Sequence, residues 1–74
     1  MSGRQIDWKA VGGRIRALRG LYTKQKDFAK LIGVSQNYLS VMENGKAEVG
    51  AEVLLRVSRA SARSIEWLLT GEDR

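Results

Sequence analysis

The sequence predicts an all-α fold of five short helices closed around one small core, and two observations carry that prediction. Apolar residues recur at intervals of three and four along each segment long enough to form an element, which is the spacing of one helical face. Between those segments stand residues that start and stop helices: Asp7, Thr23, Ser35 and Ser64 as N-caps, Gly33 and Gly71 as terminators. The inward faces then give a core of Val11, Ile15, Leu18, Phe28, Leu31, Leu39, Met42, Leu54, Val57 and Leu68. A β-sheet anywhere would contradict this reading.

Residues 1–6 have no periodic pattern, and Arg4 among them is a candidate flexible arm toward a phosphate. After Asp7, the residues Trp8, Val11, Ile15, Leu18 and Tyr22 face one side of a first helix, with Arg14, Arg16 and Arg19 off that stripe. Gly12 and Gly13 inside it each cost roughly 1 kcal/mol relative to alanine. Either the helix start frays, or a neighbouring helix needs close approach there. Residues 20–24 turn the chain. In the second helix Phe28, Leu31 and Ile32 form an apolar stripe, and Ala29 is small enough to let another helix cross nearby. Gly33 can take a positive φ and end that helix, and Ser35 caps a third that begins at Gln36, with Leu39 and Met42 inward. A fourth helix is expected from near Ala51, where Glu52 complements the N-terminal dipole and Val53, Leu54, Val57 and Ala60 line the inner face. A last short helix carries Ile65, Trp67, Leu68 and Leu69, more apolar bulk than one face of so short an element buries. The surplus suits a second copy of the chain, with Trp67 and Leu68 as candidate dimer contacts. The plainer reading leaves Trp67 half-buried against the first helix.

Two short helices joined at a steep angle through Gly33-Val34-Ser35 make a helix-turn-helix over about residues 24–44, whose second helix can enter the major groove of DNA. Gln25, Ala29, Gly33-Val34-Ser35, Leu39 and Glu43-Asn44-Gly45-Lys46 resemble the phage-repressor (Cro and lambda-repressor-like) family. The resemblance extends to Arg14-Ile15-Arg16-Ala17-Leu18-Arg19 upstream and to Leu68-Leu69-Thr70-Gly71-Glu72 downstream, and so covers nearly the whole chain. It implies a single five-helix, lambda-repressor-like DNA-binding domain over residues 1–74, in a cytoplasmic regulator of bacterial or phage origin. It also implies that Arg19 pairs with Glu43 behind the recognition helix, and that Gln25 touches the sugar-phosphate backbone while bracing Gln36. The chain departs from the family at three places, the first being the connection over residues 20–24, about one residue shorter than is common. Residues 46–50 lack the proline common there and hold fewer basic residues, Lys46 alone, with Glu48 carrying the wrong charge for a phosphate neighbour, and residues 61–64 lack the usual glycine and apolar residue.

Composition narrows the function classes. With no cysteine and no histidine, the chain has no disulfide, no zinc ligands of the usual nitrogen and sulfur kind, and no triad built on His or Cys. Carboxylates, lysines and serines are present, but no spacing assembles them into an enzyme site, and no cofactor is expected. In 74 residues, 43% hydrophobic content fits one folded domain, and no apolar run is long enough for a bilayer. A net charge of +5 and a pI near 10.1 favour an anionic partner. The charge is uneven: residues 1–24 hold six basic against one acidic residue, residues 47–74 four against five.

Gln36 and Asn37 open the recognition helix, and a side-chain amide offers the donor and acceptor that match the N7 and N6 edge of adenine. One turn on, Ser40 can bond a base or a phosphate and Val41 can meet a thymine methyl. Those four are the candidate base contacts. Gln25, Tyr38, Asn44, Lys46 and Arg14 are the candidates for the DNA backbone, helped by the free N–H groups at the helix start. The leading expectation is a sequence-specific DNA-binding transcriptional regulator, a repressor that binds a palindromic operator on double-stranded DNA as a homodimer. The competing expectation is a protein-interaction or antitoxin-like module on the same fold, which the apolar surplus around Trp67 would serve.

Overall fold

The computed structural model describes residues 5–20 and 23–72. Five helices follow in order, α1 Trp8–Arg19, α2 Gln25–Ile32, α3 Gln36–Glu43, α4 Ala51–Ser61 and α5 Ile65–Thr70, with no strand among the described residues. Helix α1 packs on α3 and α5, α2 on α3 and α4, and α4 on α5, so that all five enclose one core. Every helix contributes to that core: Val11 and Ile15, then Phe28, Ala29 and Ile32, Leu39 and Met42, Leu54 and Val57, and Leu68. Val49, from the loop before α4, joins them.

Local chemistry sets most boundaries. Asp7, Ser35 and Ser64 each accept a backbone N–H from the first turn, from Ala10 at 3.1 Å, Tyr38 at 3.0 Å and Trp67 at 2.9 Å. Gly33 and Gly71 end α2 and α5 with φ of 75° and 83°. Both glycines have a second duty. An arginine from a distant helix lies over each one and caps the helix that the glycine ends: Arg56 Nη1 donates to the Ile32 carbonyl at 3.3 Å, and Arg14 Nη1 to the Leu68 carbonyl at 3.0 Å. A Cβ on Gly33 would stand 2.6 Å from the Arg56 guanidinium, and one on Gly71 2.8 Å from that of Arg14.

The two adjacent glycines of α1 are not equivalent. A Cβ on Gly12 would lie 2.1 Å from the Met42 carbonyl oxygen, whereas nothing lies near Gly13. Close approach is therefore the reason for Gly12, and α1 crosses the end of α3 there.

Several expectations change. Leu31, expected in the core, is 66% exposed. Each helical residue turns about 100° from the last, so Leu31 stands a quarter-turn off the face shared by Phe28, Ala29 and Ile32. Ala60 is exposed as well, because the inner line of α4 continues through Ser58 and Ser61 instead. Leu18 is only partly buried. Thr23 does not cap α2. Lys24 holds that position without a side-chain bond, and the Thr23 carbonyl accepts from Arg19 Nη1 at 3.2 Å. Helix α4 ends at Ser61 with Ala62 at φ 60°, a left-handed residue where the sequence supplies no glycine. Tyr22 and Arg4 lie outside the described residues.

Candidate nucleic-acid interface

Helix α3 has eight residues, and its two sides are sharply divided. Leu39, Met42 and Glu43 are buried. At about 100° per residue, Asn37, Ser40, Val41 and Asn44 fall on the opposite side, with Gln36 at its edge. Gln36, Asn37 and Asn44 are exposed, and Ser40 and Val41 half-buried. Gln36, Asn37 and Ser40 line one shallow depression together with Gln25, which comes from the start of α2. The helix-turn-helix thus brings together four polar side chains from two helices.

A chain of hydrogen bonds runs inward from this surface. Gln36 Nε2 donates to Gln25 Oε1 at 3.4 Å, and Gln25 Nε2 donates to Glu43 Oε1 at 3.1 Å. Arg19 then closes on Glu43 with two bonds, Nε to Oε2 at 2.7 Å and Nη2 to Oε1 at 3.0 Å. The Glu43 side chain is 4% exposed and that of Arg19 16%, so the pair belongs to the interior. Its fork geometry and the further bonds to Gln25 and Thr23 offset the cost of desolvation. The hydrogen bond to Glu43 raises the Arg19 guanidinium above its ordinary value, and the carboxylate charge adds to this against desolvation. A raised cation contributes its full stability below its unfolded value and loses it only as pH climbs through the raised one, so the arginine's contribution is constant across the neutral range.

The remaining candidates divide. Lys46 is exposed just beyond α3. Asn44 is exposed, but its side-chain amide also donates to the Ser40 carbonyl at 2.8 Å and so finishes the helix. The Tyr38 hydroxyl turns to the Glu48 carbonyl at 3.4 Å, which ties α3 to the following loop. Two assignments need correction. Arg14, expected at the DNA backbone, instead donates from Nη1 to the Leu68 carbonyl at 3.0 Å, at the C-terminal end of α5, where a cation complements the helix dipole. Leu68, expected at a dimer contact, is 0% exposed within the single chain and cannot be shared with a second copy. Trp67 is half-buried, with the Arg63 guanidinium 3.9 Å from its ring centre.

Sequence reasoning did not find the bond from Gln25 to Glu43, the two arginine caps, or buried Val49. An isolated apolar residue in a polar loop was a signal for Val49. The caps leave none, since they join residues 54 and 24 positions apart.

The family model described as helix-turn-helix matches residues 15–68. Among solved structures, the chain is similar to the P22 c2 repressor in complex with a synthetic operator, at 38% identity over 84% of this chain and 96% of that one, with a TM-score of 0.78. It is similar also to the restriction-modification controller protein C.AhdI from Aeromonas hydrophila, at 27% identity over 84% and 96%, with a TM-score of 0.75. The regulator SinR in complex with DNA matches at 30% identity over 80% and 97%, with a TM-score of 0.71. No curated protein sequence matches the chain.

Proposed function

Because the chain belongs to the Cro and lambda-repressor-like helix-turn-helix family, we propose that it is a DNA-binding transcriptional regulator, a repressor that binds a palindromic operator as a homodimer. The observation that carries the reading is the exposed polar row at the start of α3, where Gln36 and Asn37 are held beside Gln25 on a helix whose other side is packed in the core. Side-chain amides on a rigid helix suit the edge of adenine in the major groove, and Ser40 and Val41 continue the same surface one turn on. Backbone contacts fall to Gln25, Asn44 and Lys46, with Lys24 and Lys26, both exposed beside Gln25 in sequence, in place of Arg14. Similarity to a repressor on its operator and to a regulator bound to DNA supports the reading. Two copies would meet at α5 through Trp67 and the half-buried Leu69 rather than Leu68. A dimer would set two recognition helices about 34 Å apart, one turn of the duplex.

Selection from a random duplex library tests this directly. Enrichment of a two-fold symmetric motif is the expected result. Weak, salt-sensitive binding to all duplexes, with no enriched motif, would overturn it in favour of a protein-interaction role.

A further inference from the structure

The chain of bonds from Arg19 to Gln36 has a direction, and that direction is decided at its buried end. A glutamine amide can be turned over with almost no change of shape, exchanging a donor for an acceptor, so only its partners determine which way it lies. Arg19 donates to both oxygens of Glu43, which therefore act only as acceptors. Glu43 Oε1 takes a further bond from Gln25 Nε2 at 3.1 Å. Reversing Gln25 would set a carbonyl oxygen against that carboxylate. Gln25 is therefore obliged to turn its own oxygen outward, and Gln36 meets it with an N–H at 3.4 Å. One N–H and the oxygen of Gln36 are left to face outward as a donor and acceptor pair.

We infer that Glu43 is a specificity-determining positioning residue, which fixes the orientation of the Gln25 and Gln36 amides and thereby the base preferred opposite Gln36. This rests on the reading of α3 as the element that faces the bases. Glu43 itself is buried and touches no base. Its effect is transmitted by hydrogen-bond polarity through one intermediate side chain. Glu43→Gln keeps the shape but supplies a donor as well as an acceptor, so Gln25 can be held either way round.

The test measures binding of the wild type, Glu43→Gln, Gln36→Ala and Val57→Ala to the selected operator and to operators altered at each single base pair. All four are measured well below their unfolding temperatures. In Glu43→Gln the preference at the pair facing Gln36 should relax by roughly fivefold or more, the lower end of what one bidentate amide contact discriminates, with preferences elsewhere retained. Val57→Ala, destabilised by a cavity in α4, should retain every preference. An unchanged preference in Glu43→Gln, an equal relaxation at all pairs, or the same relaxation in Val57→Ala would overturn the inference. If Gln36→Ala itself leaves the preference at that pair intact, the reading of α3 fails and the inference with it. Should Glu43→Gln not fold, side-chain amide exchange in the wild type decides: hydrogens of Gln25 protected relative to those of Asn37 support the inference, and equal exchange overturns it.

Discussion

The two ends of helix α3 are built on opposite terms. At the C-terminal end the backbone is pressed against α1 so closely that only glycine fits at position 12, Gly45 lies against the Lys9 backbone, and Glu43 is held in an interior ion pair. At the N-terminal end Ser35 caps the helix, and Gln36 and Asn37 project into solvent. Eight residues of helix span only about 12 Å, so the first end fixes the position of the second. A site that must face water needs its rigidity from elsewhere, and here it comes from the opposite end of the same element.

The largest expected effect falls on the held end. Arg19→Ala leaves Glu43 buried without its cation and should cost about 3 to 5 kcal/mol in urea unfolding. A loss below about 1 kcal/mol would place the pair among surface bridges and erase the distinction between the two ends. Next come the paired glycines. Gly12→Ala forces α1 away from the Met42 carbonyl and should cost about 3 kcal/mol, while Gly13→Ala should be neutral or gain up to about 1 kcal/mol from helix propensity. Similar midpoints for those two variants would show that α1 does not clamp α3.

The open end should respond in binding and hardly at all in stability. Asn37→Ala is expected to weaken the selected operator by about 1 to 3 kcal/mol, to leave scrambled duplex unaffected, and to shift the unfolding free energy by less than about 0.5 kcal/mol. Lys46→Ala should instead weaken both duplexes and reduce the slope of log K against log salt by about one. Equal loss on both duplexes for Asn37→Ala would move it from base reading to backbone contact. The smallest effect concerns a joint remote from both ends. Ala62 takes the left-handed conformation that Gly33 takes without cost, so Ala62→Gly should raise stability by about 1 kcal/mol, seen as a higher urea midpoint at unchanged slope.

The joints at Gly33 and Ala62 differ also in how plainly the sequence marks them. The Gly33 to Ser35 joint was legible because a residue free to adopt positive φ and a hydroxyl cap follow one another at the spacing that two helices require. The joint after α4 has no glycine to mark its left-handed residue, and Ala62 takes that conformation between Ser58 and Ser61 on one side and Arg63 on the other, with Ser58 Oγ donating to the Arg63 carbonyl and the Arg63 N–H donating to Ser61 Oγ. Leu31 shows a different limit. Its spacing from Phe28 fits an apolar stripe, but which of two adjacent faces turns inward depends on where α3 and α4 lie.

By itself the sequence determined the elements, most of their boundaries and the polar character of the surface that opens α3, because caps, glycine stops and apolar spacing act within a few residues of one another. Tertiary structure alone decided what those residues touch. It separated Gly12 from its identical neighbour, bound Arg14 to the end of α5, and joined Gln25 to Glu43. Each of these depends on two segments meeting in space, and a hydrogen bond or a steric contact is made at about 3 Å, a distance that helix periodicity cannot specify across segments far apart in the chain.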